Sequence, residues 1–328
     1  MVRMLKYLIA AIVLKCFSSS PPMINAYSHL GKTIGKKRRL RRGLKKSYLD
    51  QTRFIVEMIR KHGAISDHKK VLEVGTGWSH WASIAISLFC NVEVVMTDIK
   101  DNRQLEVVLQ YAREFSKIIH KEMDLASQNQ TRVLNLLQAI SRVNSFDALY
   151  SLLKLKYVVD PSGTLQKFTD DTFDVVVSFD VLEHVRNEVL SQLVGNFHRV
   201  LKPGGYSIHQ IDLCDHLERY NGKVCKKQYL KYSDTTWKRY FQNEVQYINR
   251  IQAPEWLHVF DEAGLELVEE KHEFEDIDRN RIDRKYEKLD LDALTSSSLT
   301  IVHKKPMNEP TCADPSLNCI VRNESDSS

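Results

Sequence analysis

Two glycines, Gly75 and Gly77, stand where the apolar run Lys70-Val71-Leu72-Glu73-Val74 gives way to a helix-forming stretch that begins at Trp78. A strand that turns into a helix through glycines offers a ligand bare backbone and unpaired helix N–H groups. A nicotinamide dehydrogenase would usually show a third glycine three residues on, but this chain has His80 there. A second constellation is Asp180, Glu183 and His184, whose i, i+3, i+4 spacing places three donor side chains on one face of a helical start. Carboxylate and imidazole together suit Zn²⁺, Mn²⁺ or Fe²⁺ better than Ca²⁺, and His209 could complete such a set, with Asp212 or His216 in reserve. His184 has another use: its ordinary pKa lies near neutrality, so it could act as a general base.

Such residues need a scaffold, and the hydrophobic pattern supplies one. Apolar positions at helical spacing between Tyr48 and Lys61 predict an amphipathic helix. Short buried-strand runs follow at 70–74 and 92–97, the second closing at Asp98, with a helix over 78–89 between them. Residues 100–155 read as mostly helical and too long for one crossover, so we expect inserted helices that could cover a cofactor or wall a substrate site. Strands at 156–160, 173–178 and 206–211 continue the alternation, and a helix at 254–263 with strands at 265–268 and 298–303 ends it. Alternating buried strands and helices predict an α/β fold, a doubly wound, mostly parallel sheet of seven strands with helices on both faces.

Three landmarks, in order, resemble the class I S-adenosylmethionine (SAM) dependent methyltransferases, especially the branch of ubiquinone-biosynthesis O-methyltransferases. They are Glu73-Val74-Gly75-Thr76-Gly77, then Phe173 to Ser178 running into Leu182-Glu183-His184-Val185, then Leu201-Lys202-Pro203-Gly204-Gly205. The resemblance spans about residues 70–304. It implies that Glu73, Gly75 and Gly77 surround the methionine end of SAM, and that Asp98 accepts hydrogen bonds from the ribose hydroxyls. A carboxylate can take two O–H donors at once. It further implies Asp160 near the adenine, and Ser178 with Asp180 near the amino-acid tail. Each acid alone could be a loop or cap residue; acids at four successive strand ends form a pattern. The Leu-Glu-His-Val resemblance also implies O-methylation; we expect His184 as the catalytic base and a small-molecule, glycan or lipid-linked acceptor, the basic arm fitting a membrane-borne one. Some relatives with an acid-x-x-Glu-His arrangement use a divalent metal, for which Asp180, Glu183, His184 and His209 are the candidates. The same scaffold serves N- and C-methylation, and a non-catalytic SAM-binding module recruited by its basic arm is the alternative from another class.

Composition bounds the rest. The chain of 328 residues is 43% hydrophobic with a formal net charge of +5, too little by itself to imply nucleic-acid binding. We divide it into an apolar and basic helical arm over 1–47, a catalytic domain over 48–305 and a polar tail over 306–328, expected to be disordered. Within the domain, 100–155 is the helical insertion and 213–250 an aromatic lid segment. In the arm, the apolar run Tyr7 to Leu14 is too short to span a bilayer, and the cluster Lys32, Lys36, Lys37, Arg38, Arg39, Arg41, Arg42, Lys45 and Lys46 holds no acid. The arm could pack on the domain, lie on an anionic membrane surface or, less favoured, meet nucleic acid. Trp78 and Trp81 read as packing residues, and Tyr220 to Tyr247 as a lid with a small core of its own. Six cysteines without a CxxC pair suggest reduced thiols in a cytoplasmic protein, peripheral at most on the inner membrane face.

Overall fold

The computed structural model describes residues 2–123, 127–220, 224–278 and 281–307. The expected disordered tail therefore falls, from residue 308 onward, outside the described residues, with Cys312 and Cys319. The elements in chain order are α1 (Val2–Phe17), α2 (Pro21–Arg42), α3 (Lys46–His62), β1 (Lys70–Val74), α4 (Trp81–Phe89), β2 (Glu93–Asp98), α5 (Leu105–Glu122), α6 (Ser127–Ile140), α7 (Phe146–Leu153) and β3 (Leu155–Val159). They continue with β4 (Phe173–Phe179), α8 (Asn187–Val200), β5 (Leu201–Asp212), α9 (Asp234–Tyr240), α10 (Ala253–Glu262), β6 (Glu266–Phe274), α11 (Leu291–Thr295) and β7 (Ser296–Lys304).

The strands form one sheet in the order β3-β2-β1-β4-β5-β7-β6. Every pairing from β3 to β5 is parallel, and β7 runs antiparallel to both its neighbours. This is the doubly wound α/β sheet the alternation predicts. The order reverses direction between β1 and β4, and in open parallel sheets that switch point opens a crevice at the carboxyl ends of the strands.

Alternate side chains of the central strands enter different cores. Val71, Val175 and Val177 join α3, α4 and α5 on one face, while Leu72, Val74 and Val176 join α8 and α10 on the other. In the insertion, α6 and α7 pack against α4 and one another, their apolar residues Val133, Leu137, Ile140, Leu149 and Leu153 extend the first core, and Phe146 and Tyr150 of α7 meet His80 just after the glycine turn. They thicken the helical layer because each carries a continuous apolar face that only this layer can bury. Helix α2 meets the loops that follow β1 and β2.

Pro21 and Pro22 start α2, and Gly43, in the left-handed region at φ 68°, ends it. Between them Arg39 sits over the Trp78 ring at 4.2 Å, donates to Gln104 Oε1 at 2.9 Å, and Gly31 packs against the same indole. Helix α1 buries Tyr7, Ala10, Ala11 and Leu14 in a third core shared with Leu217, Tyr229, Leu230, Trp237 and Phe241. That is the small core expected of the aromatic segment, completed by the arm. Polar contacts bolt the two together: Tyr7 Oη donates to Asp215 Oδ2 at 2.6 Å, Lys15 Nζ to the carbonyls of Lys238 and Gln242, and Gln246 Nε2 to Tyr27 Oη. Among the described residues no single helix is long and apolar enough to cross a membrane.

Tyr7→Phe should therefore be costly despite its small size. It leaves the fully buried Asp215 carboxylate without its hydroxyl donor, and an unsatisfied buried acceptor costs about 1–3 kcal/mol. Urea unfolding of the full chain should show that loss; an unchanged midpoint would mean the arm is not docked as described.

Candidate active site

The glycine turn is built by the end of β2. Gly75 and Thr76 donate their N–H groups to Thr97 O, at 2.8 and 3.2 Å, and Gly77 N–H donates to Asp98 Oδ2 at 3.0 Å. The two glycines have different reasons to be glycine. Gly75, at φ 76°, lies under Val181, whose Cγ2 would be 2.4 Å from an added Cβ. Gly77, at φ 64°, faces open space, with nothing within 4 Å of such a Cβ. The turn is thus closed at Gly75 and accessible at Gly77.

The acids at the strand ends divide in the same way. Glu73 is turned inward, accepting from Thr76 Oγ1 at 3.0 Å and from Ser83 Oγ. Burial pushes its carboxyl up to about 7, although these hydroxyls oppose the rise. Its place is to brace the turn from beneath, one layer away from the open side. Asp98 also accepts from Lys100 N–H, and burial raises its pKa against the pull of its backbone donors. Asp160 is 1% exposed; Oδ1 accepts from Ser162 Oγ at 2.8 Å, while Oδ2 has no partner among the described residues. Gly163 packs against Ile99, an exposed side chain directly after Asp98 that motif reading passed over.

Two expected site residues lie elsewhere. Ser178, placed by the resemblance near the amino-acid tail, is fully buried and bonded to His209 Nδ1 at 2.7 Å. The other ring nitrogen of His209 lies 2.6 Å from Ser207 Oγ, and the ring stacks on Phe197. Both side chains point into the core beneath α8 and α10, because strand parity sends residues 176 and 178 there. His209 therefore has no free nitrogen for a metal. Asp180 is not on a helical face with Glu183 and His184 either: it takes a left-handed conformation, φ 54°, and the following 3-10 turn starts only at Leu182.

His216, named only in reserve, takes the place of His209. Glu183, His184 and His216 each present a donor atom, all within 4.8 Å of one another. His184 Nδ1 is 2.6 Å from Tyr247 O, so that nitrogen carries the hydrogen and donates, leaving the Nε2 lone pair free, 3.8 Å from Glu183 Oε1. The His184 and His216 rings are 4.9 Å apart. His216 Nε2 lies 3.2 Å from Asp212 Oδ2, which Arg219 also contacts.

Electrostatics sharpen this picture. Glu183 is 3% exposed and neither carboxylate oxygen has a hydrogen-bond partner among the described residues. Burial, with Asp180 and Asp212 nearby, raises its pKa well above the carboxylate range. Burial and the neighbouring His216 push His184 down to about 4, so at neutral pH the two groups do not neutralise one another. Burial, then the Asp212 charge, takes Asp180 up to about 6. Asp180 and His184 keep water-exposed surface although protein surrounds them on most sides. Burial would raise Asp212 as well, but the His216 hydrogen bond and Arg219 outweigh it and hold that carboxyl low.

A stability test isolates the brace. Glu73 has a folded pKa of about 7 against an ordinary 4.5, so its contribution is fully present below pH 4.5 and is lost as pH rises through 7. Wild-type stability should fall across that window by on the order of 3 kcal/mol from this group. Glu73→Gln should remove that part of the slope, and an identical pH profile in the variant would place Glu73 in a wetter setting.

With the geometry in view, comparison with known proteins is direct. The methyltransferase-domain family matches residues 41–270. No curated protein matches the chain. Among solved structures, a SAM-dependent methyltransferase from Methanosarcina mazei is 16% identical with a TM-score of 0.45, over 75% of this chain and 96% of that one. The 1,6-didemethyltoxoflavin-N1-methyltransferase of Burkholderia thailandensis, solved with S-adenosylhomocysteine, is 12% identical with a TM-score of 0.41, over 78% of each chain. The family match spans well over half the sequence, and the sheet order, glycine turn and strand-end acids agree with it: this chain belongs to the SAM-dependent methyltransferases of class I.

Proposed function

We propose that this enzyme transfers a methyl group from SAM to a hydroxyl oxygen of a small-molecule, glycan or lipid-linked acceptor, and that Glu183, His184 and His216 hold a divalent cation beside that oxygen. The observation that carries the reading is the orphaned Glu183 carboxylate, buried within reach of two imidazoles. A buried carboxylate without a donor is expensive unless a cation or proton meets it, and its neighbours, Asp180 and Asp212, are also acids.

The cofactor reading rests on the other crevice wall. Gly77 leaves room for the close approach of a ligand, and the free oxygen of Asp160 suits the exocyclic amine of an adenine, a donor that would satisfy it. Asp98, fixed by the turn it closes, keeps acceptor capacity for ribose hydroxyls. Val181 packs on Gly75 and leads directly into the turn that carries Glu183 and His184, so cofactor wall and acceptor wall are neighbours. Methyl transfer from a sulfonium is an in-line displacement, so positioning the acceptor supplies much of the rate. A bound divalent ion would make an acceptor hydroxyl easier to deprotonate. The protein's part is to hold the His184 lone pair outward, through the Tyr247 carbonyl on its other nitrogen.

A second reading has His184 Nε2 take the acceptor proton with no metal, and the fixed tautomer supports it equally; the orphaned Glu183 favours the first. Conversion of SAM to S-adenosylhomocysteine against hydroxylated acceptors, with and without chelator, separates them. We expect chelation to abolish turnover, Mn²⁺ or Zn²⁺ to restore it, and Glu183→Ala and His184→Ala to lose it with SAM affinity intact. Full turnover after chelation would remove the ion, and unchanged turnover in His184→Ala would remove His184 from either role.

The glycines give an independent check on the cofactor wall. Gly77→Ala should weaken SAM binding roughly ten-fold or more by calorimetry, while backbone strain costs the fold only about 1–2 kcal/mol. Gly75→Ala should chiefly destabilise the fold, by about 1–3 kcal/mol, since its Cβ meets Val181 rather than ligand. Unaltered SAM affinity in Gly77→Ala would place the cofactor elsewhere.

A further inference from the structure

Helix α1 is apolar on two faces. Tyr7, Ala10, Ala11 and Leu14 are buried on the aromatic segment, while Leu5, Leu8, Ile9, Ile12 and Val13 face solvent, between 41% and 62% exposed. Positions 5, 8, 9, 12 and 13 follow the i, i+3, i+4 rule of a continuous stripe, so this is a second designed face rather than scattered exposure. Leu30 and Ile34 on α2 are exposed as well. The first 49 residues hold twelve of the chain's 47 Lys and Arg and none of its 42 Asp and Glu, so the remainder is net negative, at −7. Part of this charge is used internally, Lys36 with Glu106 and Arg39 on Trp78. Lys37, Arg38, Arg41 and Arg42 are exposed and pair with no carboxylate among the described residues.

We propose that the outer face of α1 and the basic end of α2 form a docking surface for an anionic lipid bilayer. The aliphatic stripe of α1 offers a surface to acyl chains, and the cations at the end of α2, beyond a 117° bend, offer one to headgroups. The charge asymmetry orients the approach, because an anionic surface attracts the arm and repels the rest of the chain. Nucleic acid would meet the cations but has nothing for five aliphatic side chains. The docked arm is bolted to the aromatic segment by Tyr7–Asp215 and Lys15, and Asp215 precedes His216, so the bilayer would lie across α1 from the elements that frame the acceptor side. The inference stands whether or not the metal reading of that site does.

Co-sedimentation of the full chain with vesicles tests it, using phosphatidylcholine alone and phosphatidylcholine with phosphatidylserine, at low and high salt. Binding should require phosphatidylserine and weaken with salt, and each of Lys37→Ala, Arg38→Ala and Arg41→Ala should lower partition about five-fold. Leu8→Asp with Ile12→Asp should abolish binding while leaving the melting temperature unchanged, since both side chains point away from the core. Absence of vesicle binding, or binding indifferent to the charge and aspartate changes, overturns the proposal. A concentration-dependent dimer broken by Leu8→Asp without vesicle binding would assign the stripe to a second copy. Tight single-stranded RNA binding that survives the aspartate changes, without vesicle binding, would assign the cations to nucleic acid.

Discussion

Three N–H groups of the turn after β1 are satisfied by the end of β2: two by the carbonyl of Thr97 and one by the carboxylate of Asp98. A tight turn through two left-handed glycines has few ways to satisfy its donors, and here the neighbouring strand supplies the acceptors. The consequence is mutual. The turn fixes Asp98 where a ligand could use it, and Asp98 fixes the turn with Gly77 open to the crevice. From beneath, Glu73 ties the same turn to α4 through Thr76 and Ser83. Across the switch point, Val181 closes over Gly75 and delivers Glu183 and His184 to the adjoining wall.

The parts of this arrangement that were legible in the sequence are those governed by local rules. Strand β1 ends where the glycines begin, β2 ends at Asp98, and a mostly parallel seven-stranded sheet follows from the alternation of strand and helix. What the sequence could not show depended on parity and on distant packing. Ser178 and His209 sit at strand positions whose side chains enter the α8 and α10 core, and a motif match carries no information on that parity. Asp180 breaks the helical face assumed for it because its backbone is left-handed, a local exception that spacing cannot reveal. His216 was visible only as a reserve, since its approach to His184 depends on the path of the segment after β5.

The arm shows the same limit from the other direction. Its composition admitted docking on the domain and docking on a membrane as alternatives; α1 buries one face on the aromatic segment and leaves the opposite aliphatic face exposed. The buried face completes the aromatic core that residues 213–250 could not close alone, and α2 reaches from there to Trp78 beside the glycine turn. Arm and aromatic segment therefore share one core, and α2 meets the sheet domain through Arg39 with Trp78 and Gln104, Lys36 with Glu106, and Leu40 against the first core.

The central claim is that one crevice, walled by Gly77, Asp98 and Asp160, receives the adenosyl group. A crystal structure of the full chain grown with S-adenosylhomocysteine tests it most directly. The account predicts ribose oxygens on the Asp98 carboxylate and the adenine amine on the unpaired oxygen of Asp160. Density for the nucleoside at any other place, or Asp160 Oδ2 still without a partner in the complex, would contradict it.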